Sequence, residues 1–229
     1  MYGESPNMGR RTHQYVDILS RPYRAFVETW QDEGGIPVAD WIVTDPVAGV
    51  AWSRGASGAM LRATSTPNAS NFCQLVSRER WIFAPDTYAV NMILQRSYLE
   101  FELKLTDVAN MENANCFFGL TTGTGDYRTA DNIIGFGLAS DVLQSITDNG
   151  GAETTTTNFD ETLTAWNKLG IEAYAGHVRF YVNEKMKADH ATNLPDYPLY
   201  INFYLEAEAG GAATIELGII RPWWFDRVL

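Results

Sequence analysis

Acidic residues in strand-like runs are the first candidates for chemistry in this sequence. Glu100 and Glu102 lie two residues apart in the run 98–105 (YLEFELKL), so on a β-strand they point to the same face, roughly 6 to 7 Å apart along the chain. Retaining glycosidases hold two carboxyl groups about 5 to 5.5 Å apart across the bond that they cleave. Lys104 follows on that face as a charge partner, which favours a solvated strand face. Glu206 and Glu208 have the same spacing, and we interpret them in the same way. We therefore expect no catalytic residues.

A second set of side chains has the chemistry of a sugar-binding surface. Such a surface combines aromatic rings with a few polar groups, and the outward positions of two other predicted strands supply both. We expect these side chains on the face that carries Glu100 and Glu102; they are Tyr181, Tyr200, Asn202 and Tyr204. Packing of the rings under a second layer or a neighbouring subunit is the competing interpretation.

No spacing of residues indicates a metal or a cofactor. The three histidines are scattered without ligand spacing, and four aspartates that could offer oxygen ligands to calcium lack the spacing of an EF-hand. These residues are His13, His177, His190, Asp126, Asp131, Asp141 and Asp148. We therefore predict no metal site and no cofactor. Cys73 and Cys116 both lie in apolar, strand-like runs, which favours buried thiols and leaves a cross-strand disulfide as the alternative.

Alternating apolar and polar residues predict the elements that position these side chains. Residues 98–105, 177–183 and 199–206 are apolar at every second position, as half-buried strands are. Further strands are predicted at residues 48–52, 58–64, 72–83, 116–121, 132–138, 142–147, 169–174 and 213–220. Residues 148–151 (DNGG) and 175–176 (AG) tolerate positive φ and are predicted to close hairpins, with residues 154–157 as an exposed loop or edge strand. Short strands separated by such turns are typical of an all-β sandwich.

The two ends of the chain differ from the middle. Residues 1–35 are predicted to form an N-terminal arm that leads through a short helix or strand into a sandwich domain over residues 36–229. In an otherwise acidic protein, this arm carries Arg10, Arg11, Arg21 and Arg24, which we expect to meet an acidic partner surface. Adjacent residues on a strand point to opposite faces, so at least one of Trp223 and Trp224 is expected to leave the core and contact a partner. The alternative is that both cover the end of the core.

Charge excludes two classes of partner. The 229 residues include 17 Lys and Arg against 28 Asp and Glu, a net charge of -11, which argues against binding to nucleic acid or to an anionic membrane. The N-terminus shows no apolar segment of the signal-peptide kind, and no apolar run is long enough to span a bilayer. We therefore expect a protein made in the cytoplasm.

The order of several short motifs along the chain carries a resemblance. The motifs are residues 58–62 (GAMLR), 99–105 (LEFELKL), 117–120 (FFGL), 166–171 (WNKLGI), 176–183 (GHVRFYVN), 194–195 (LP), 198–203 (PLYINF) and 213–220 (ATIELGII). Together they resemble the concanavalin A-like (laminin G-like) jelly-roll superfamily, in the form found in structural and accessory proteins of tailed bacteriophages. The resemblance implies two antiparallel sheets packed face to face, with the first and last strands side by side. Members range from lectins and glucanases to virion decoration proteins.

The resemblance departs from the glucanases at the residues that matter for catalysis. Glucanases of this fold carry their acids in a Glu-x-Asp-x-Glu or Glu-x-Asp-x-x-Glu run, and this sequence contains no such run. We therefore predict a virion protein without enzymatic activity, which decorates a capsid or lies on the head or tail surface. Its expected partners are other capsid or tail proteins and further copies of itself, as a homo-oligomer. The alternatives are a lectin-like module that binds a cell-surface glycan and a glycoside hydrolase.

Overall fold

The structure is a computed structural model that describes residues 23–25, 40–44, 51–54, 61–65, 72–81, 96–106, 108–110, 116–124, 127, 130, 132–139, 141–157, 159–174, 176–195, 199–206 and 213–225. In these residues it is an all-β protein, and its longest helical piece is a 3-10 turn at Val108–Asn110. Two antiparallel sheets pack face to face as a sandwich, which confirms the predicted fold class. No helix among the described residues is long and apolar enough to cross a membrane.

The strands are numbered in chain order, and we call the two sheets the back sheet and the front sheet. The back sheet has the order β13-β12-β11-β6-β15-β4-β3, and β1 pairs with the end of β15. Its strands are β1 Tyr23–Ala25, β3 Ala51–Arg54, β4 Leu61–Ser65, β6 Arg96–Thr106, β11 Asn167–Tyr174, β12 His177–Val182, β13 Lys185–His190 and β15 Ala213–Phe225. Within the described ranges, β1 is the first strand and β15 the last, and their pairing agrees with the expectation that the first and last strands lie side by side.

The front sheet carries the candidate site. It has the order β10-β9-β8-β7-β14-β5-β2, so β10 and β2 are its edge strands. Its strands are β2 Trp41–Thr44, β5 Phe72–Trp81, β7 Phe117–Thr121, β8 Ile133–Ala139, β9 Val142–Asp148, β10 Glu153–Thr156 and β14 Leu199–Glu206. The predicted exposed segment at residues 154–157 is thus largely an edge strand.

The core lies between the two sheets and is built by period-two alternation. On β6 and β14, every second side chain is apolar and buried: Leu99, Phe101, Leu103, Leu105, Leu199, Ile201, Phe203 and Leu205. The Phe101 ring meets the Phe203 ring edge-on, with the centroids 5.1 Å apart, and so joins the sheets. Burial of a side chain of this size contributes about 1.5 to 3 kcal/mol. Cys73 and Cys116 are buried and free, which confirms the prediction of buried thiols.

Two hairpins show how local sequence sets the strand pairing. Gly150 has φ 85° in the turn that joins β9 to β10, and Gly176 has φ 76° in the turn that joins β11 to β12. Both turns were predicted from their glycines. The hairpin between β12 and β13 instead has positive φ at Asn183 and Glu184, 50° and 68°, the conformation of a two-residue type I′ turn.

Candidate active site

The hairpin between β9 and β10 brings two carboxylates together. Asp148 is the last residue of β9, Glu153 is the first residue of β10, and the two are paired directly opposite each other. Cβ atoms of directly opposed residues lie about 4.5 to 5.5 Å apart, and both side chains point to the same face of the sheet. The turn fixes one of them, because Oδ1 of Asp148 accepts a hydrogen bond of 2.7 Å from the backbone N–H of Gly150.

The surroundings of Glu153 favour its protonated form. Partial burial of the Glu153 carboxyl raises its pKa above the usual value, although the residue as a whole is exposed, and the negative charge of Asp148 raises the pKa further. Two carboxylates that share a site resist simultaneous ionisation, so one of them holds its proton to higher pH. The pair therefore has the electrostatic asymmetry of a general acid beside a second carboxylate.

Both carboxylates line a cavity of about 350 Å³ on the outer face of the front sheet, which we call the acid pocket. Its described lining is mixed polar and apolar: Cys116, Tyr127, Ala130, Ile133, Gly137, Leu138, Gln144, Ile146, Asp148 and Glu153. Gly137 lies opposite Gln144 of β9, so no side chain fills the position between Phe117 and Gln144. The volume lies near the lower end of the range that is usual for small-molecule pockets.

One side of the pocket is bounded by stacked rings that we call the aromatic wall: Phe72, Tyr204, Phe117 and Tyr127. Tyr127 stacks on Phe117 with ring centroids 4.8 Å apart and meets Tyr204 edge-on at 5.5 Å. Phe72 stacks on the far side of Tyr204 at 5.0 Å. A Cβ atom on Gly135 would lie 2.5 Å from Cζ of Phe117, so the glycine is what lets this ring lie across β8.

Glu100 and Glu102, the acids named from the sequence, lie on the outer face of the back sheet. Glu100 is largely buried and 3.8 Å from Nζ of Lys168, while Lys104 pairs with Glu216 at 3.3 Å. The expected partner, Lys104, is thus replaced by Lys168. Both acids belong to the other sheet, so they are not part of the acid pocket.

The four residues named for sugar binding do not share a face. Tyr181 lies on β12 of the back sheet, where its hydroxyl donates a 2.7 Å hydrogen bond to the buried Glu172. The other three lie on β14 of the front sheet, and two of them are fully buried: Asn202 and Tyr204. The prediction that all four residues share a surface with Glu100 and Glu102 is therefore wrong, because β14 belongs to the front sheet and β6 to the back sheet. A sugar-binding role for the individual residues remains a prediction.

Asn202 and Tyr204 already have partners on the outer face of the front sheet. Asn202 donates to Thr121 and accepts from Gln74, both at 3.1 Å. The hydroxyl of Tyr204 donates to Glu206 at 3.3 Å. These contacts belong to buried polar networks, which fix the position of β14 against its neighbours.

His190 joins the edges of the two sheets. Its Nε2 lies 3.1 Å from Oγ of Ser145 and 3.0 Å from Oγ1 of Thr156, and its Nδ1 lies 3.0 Å from Oγ1 of Thr147. Burial lowers the pKa of this imidazole. Although a serine lies next to a histidine, Ser145 is fully buried, so the pair serves as a structural contact and not as a nucleophile.

Several predicted partner-binding residues cannot be placed as side chains. Arg10, Arg11 and Arg21 lie outside the described residues. Arg24 pairs through its backbone with Trp224, and Trp223 pairs with both Ala25 and Tyr98; the side chains of Arg24, Trp223 and Trp224 are outside the described part. Their role stays a prediction. Within the described ranges, no group of three or more His, Cys, Asp or Glu side chains is arranged to hold a metal ion.

The acid pair was missed from the sequence. Asp148 was predicted as part of the turn at residues 148–151, and Glu153 was not singled out. The available signal was a pair of acids flanking a glycine-rich hairpin turn, which opposes them only if the strands pair in the observed register.

Comparison with known proteins gives structural matches alone. No protein-family model matches the chain, and no curated protein matches it in sequence. A Bacillus licheniformis β-glucanase is similar at a TM-score of 0.60 and 14% identity, over 86% of this chain and 97% of the glucanase. A glycosyl hydrolase family protein from Mycobacterium fortuitum is similar at 0.57 and 14%, over 86% and 98% of the two chains. A prokaryotic β-1,3-1,4-glucanase (lichenase) from a mouse hindgut metagenome is similar at 0.56 and 10%, over 86% and 98%.

These matches support the concanavalin A-like jelly-roll fold and correct the expected function. The solved chains of similar fold are mostly glycoside hydrolases, and they give no link to a phage. The prediction of a virion structural or accessory protein that decorates a capsid is therefore wrong, and so is the prediction that the chain is not an enzyme. The second alternative, a glycoside hydrolase, agrees better with this finding.

Proposed function

We propose that this protein is a glycoside hydrolase that retains anomeric configuration and works from the acid pocket. The observation that carries the proposal is the directly opposed pair Asp148 and Glu153 in a pocket, with the pKa of Glu153 raised. Retaining enzymes need two carboxyl groups about 5 to 5.5 Å apart, a separation that a directly opposed cross-strand pair brings within reach. Similarity to glucanases in fold supports the proposal and does not carry it.

The two carboxyl groups take different roles. Glu153, which holds its proton to higher pH, donates that proton to the oxygen of the leaving group as the glycosidic bond breaks. The carboxylate of Asp148 attacks the anomeric carbon and forms a glycosyl ester. Water then cleaves the ester, and Glu153 takes the proton from this water, so both residues return to their starting states.

The hydrogen bond to Gly150 gives Asp148 its position. Because Oδ1 accepts the backbone N–H of Gly150, the carboxyl group is held in one orientation and Oδ2 is left for the attack. A nucleophile held in place lowers the entropy cost of the reaction. The acid at Glu153 is more exposed, which suits a group that must exchange its proton with water.

The test is hydrolysis of a panel of neutral oligosaccharides and aryl glycosides by the full chain and by matched variants. We expect turnover by the parent protein and a loss of roughly 100-fold or more in Asp148→Asn and in Glu153→Gln, the usual contribution of acid and base groups. Glu102→Gln, on the back sheet, serves as the matched control and should keep parental activity. Binding of glycans without turnover by the parent protein, or loss of turnover in Glu102→Gln instead, would contradict the proposal.

A further inference from the structure

The acid pocket is closed on one side, and this limits how a sugar chain can lie in it. The aromatic wall crosses three neighbouring strands of the front sheet, with Phe72 on β5, Tyr204 on β14 and Phe117 on β7. Tyr127 belongs to this wall and also lines the pocket. The rings of Tyr204, Phe117 and Tyr127 are buried, so the sheet surface from the pocket toward β5 is covered. A polysaccharide therefore cannot lie along the sheet in that direction.

The opposite side of the pocket is the open one. Glu153 belongs to β10, which is the edge strand of the front sheet, and its side chain is exposed. The hairpin residues 149–152, which follow Asp148, are exposed as well. A sugar chain that passes between the two carboxylates therefore has room to continue outward over the sheet edge.

Size and charge restrict the sugar that enters. A cavity of about 350 Å³ lies at the lower end of the range of about 300 to 1,000 Å³ for ligand pockets, which suits one sugar ring. Two carboxylates line it, and its described lining includes no basic side chain. A sugar that carries its own carboxylate would be repelled at this short range.

We infer that the protein removes single neutral sugars from the non-reducing ends of glycans, an inference that rests on the proposed function. The terminal ring lies between Tyr127 and the acids, with its anomeric carbon toward Asp148, and the rest of the chain leaves over β10. The bond that breaks joins this anomeric carbon to the oxygen of the next sugar. That oxygen receives the proton from Glu153, and water supplies the hydroxyl group of the released sugar.

The experiment is a time course with the full chain and neutral oligosaccharides that carry a fluorescent label at the reducing end. Products are separated by length and weighed by mass spectrometry. We expect labelled products that shorten by one sugar at a time, with a free monosaccharide as the other product. Early labelled fragments from internal cleavage would overturn the inference and leave the proposed hydrolase standing. No cleavage of any substrate would overturn both.

A second experiment tests the role of charge. Aryl uronides should be hydrolysed much more slowly than the matching neutral aryl glycosides, and equal rates would overturn the charge argument.

Variants test whether the wall causes this preference. Tyr127→Ala removes a ring of the wall, so we expect internal fragments to appear among its products. Tyr127→Phe keeps the ring, so its labelled products should still shorten by one sugar at a time, whether or not its rate of hydrolysis changes. Met186→Ala, an exposed position on β13 of the back sheet, is the control for an unrelated loss of side chain. Unchanged products from a folded Tyr127→Ala protein, checked by circular dichroism, would show that the wall does not set the preference.

Discussion

Asp148 and Glu153 face each other across the β9–β10 hairpin as a directly opposed pair, and their surroundings differ. Asp148 is tied to the turn by its hydrogen bond to the backbone N–H of Gly150. Glu153 has no such restraint among the described contacts, and burial together with the charge of Asp148 raises its pKa. One short hairpin thus supplies an oriented carboxylate and a carboxyl group that holds its proton to higher pH than usual.

The coupling between these two groups predicts the behaviour of Glu153 in a variant. Asp148→Asn removes the negative charge while keeping a similar shape, so the pKa of Glu153 should fall toward its ordinary value. It should not fall completely, because burial is the larger cause of the shift. A carboxyl carbon NMR titration of the parent and the variant measures this directly. Glu102→Gln is the control, and a Glu153 pKa that is the same in all three proteins would show that Asp148 does not act on it.

The space above Gly137 predicts a change in substrate binding. A Cβ atom there would lie 2.8 Å from Cδ1 of Ile146 and 3.3 Å from the carbonyl oxygen of Cys116, so Gly137→Ala fills part of the acid pocket and pushes a flexible side chain. We expect KM to rise more than kcat falls, since the loss is in ground-state binding. Gly151→Ala is the matched control, because its Cβ would meet only Oδ1 of Asn149, at 3.9 Å. Equal KM values in the parent and Gly137→Ala would show that Gly137 is not part of the binding surface.

The contacts of His190, which join the edges of the two sheets, lead us to expect a loss of stability in mild acid. Burial lowers the pKa of this imidazole, while the charge of Asp189 opposes the shift. The groups that face the ring are the hydroxyls of Ser145, Thr147 and Thr156 and the ring of Phe180, and none of them is charged.

The sign of the effect follows from proton binding. As the pH falls below about 6.5, the unfolded state binds a proton at this histidine more readily than the folded state, so the free energy of unfolding decreases. The decrease continues until the pH passes below the folded pKa. Urea unfolding of the parent and of His190→Gln between pH 8 and pH 5 measures it. The variant should be less stable at pH 8 but should lose less on acidification. Parallel curves for the parent and His190→Gln would contradict the prediction.

Strands with clear alternation were predictable from the sequence, and strands without it were not. β6, β12 and β14 follow the apolar positions of residues 98–105, 177–183 and 199–206. β13 was missed, because Lys185–His190 reads KMKADH and offers only Met186 and Ala188 as apolar residues. It forms because the turn at Asn183 and Glu184 returns the chain along β12, and a glutamate at positive φ is not a recognisable turn signal.

The candidate site depended on pairings that the sequence does not show. Alternation places Tyr181 and Tyr200 on the polar faces of their strands, but it does not say which sheet each strand joins. β12 pairs with β11 and β13, while β14 pairs with β5 and β7, so the tyrosines are on different sheets. Similarly, Asp148 and Glu153 become a pair only through the register of β9 against β10. Glu100 and Glu102 could be recognised as a pair from the sequence because both lie in a single strand with clear alternation.

Trapping the glycosyl ester tests the central claim most directly. Fluorinated glycosyl fluorides of neutral sugars form the ester with a retaining hydrolase faster than water removes it. After incubation with the full chain, intact mass spectrometry and peptide mapping should show one added sugar, bound at Asp148, and Asp148→Asn should show none. A protein that hydrolyses glycosides but carries the sugar on another carboxylate, such as Glu102 or Glu206, or that gains no mass with any of the sugars, would contradict the account.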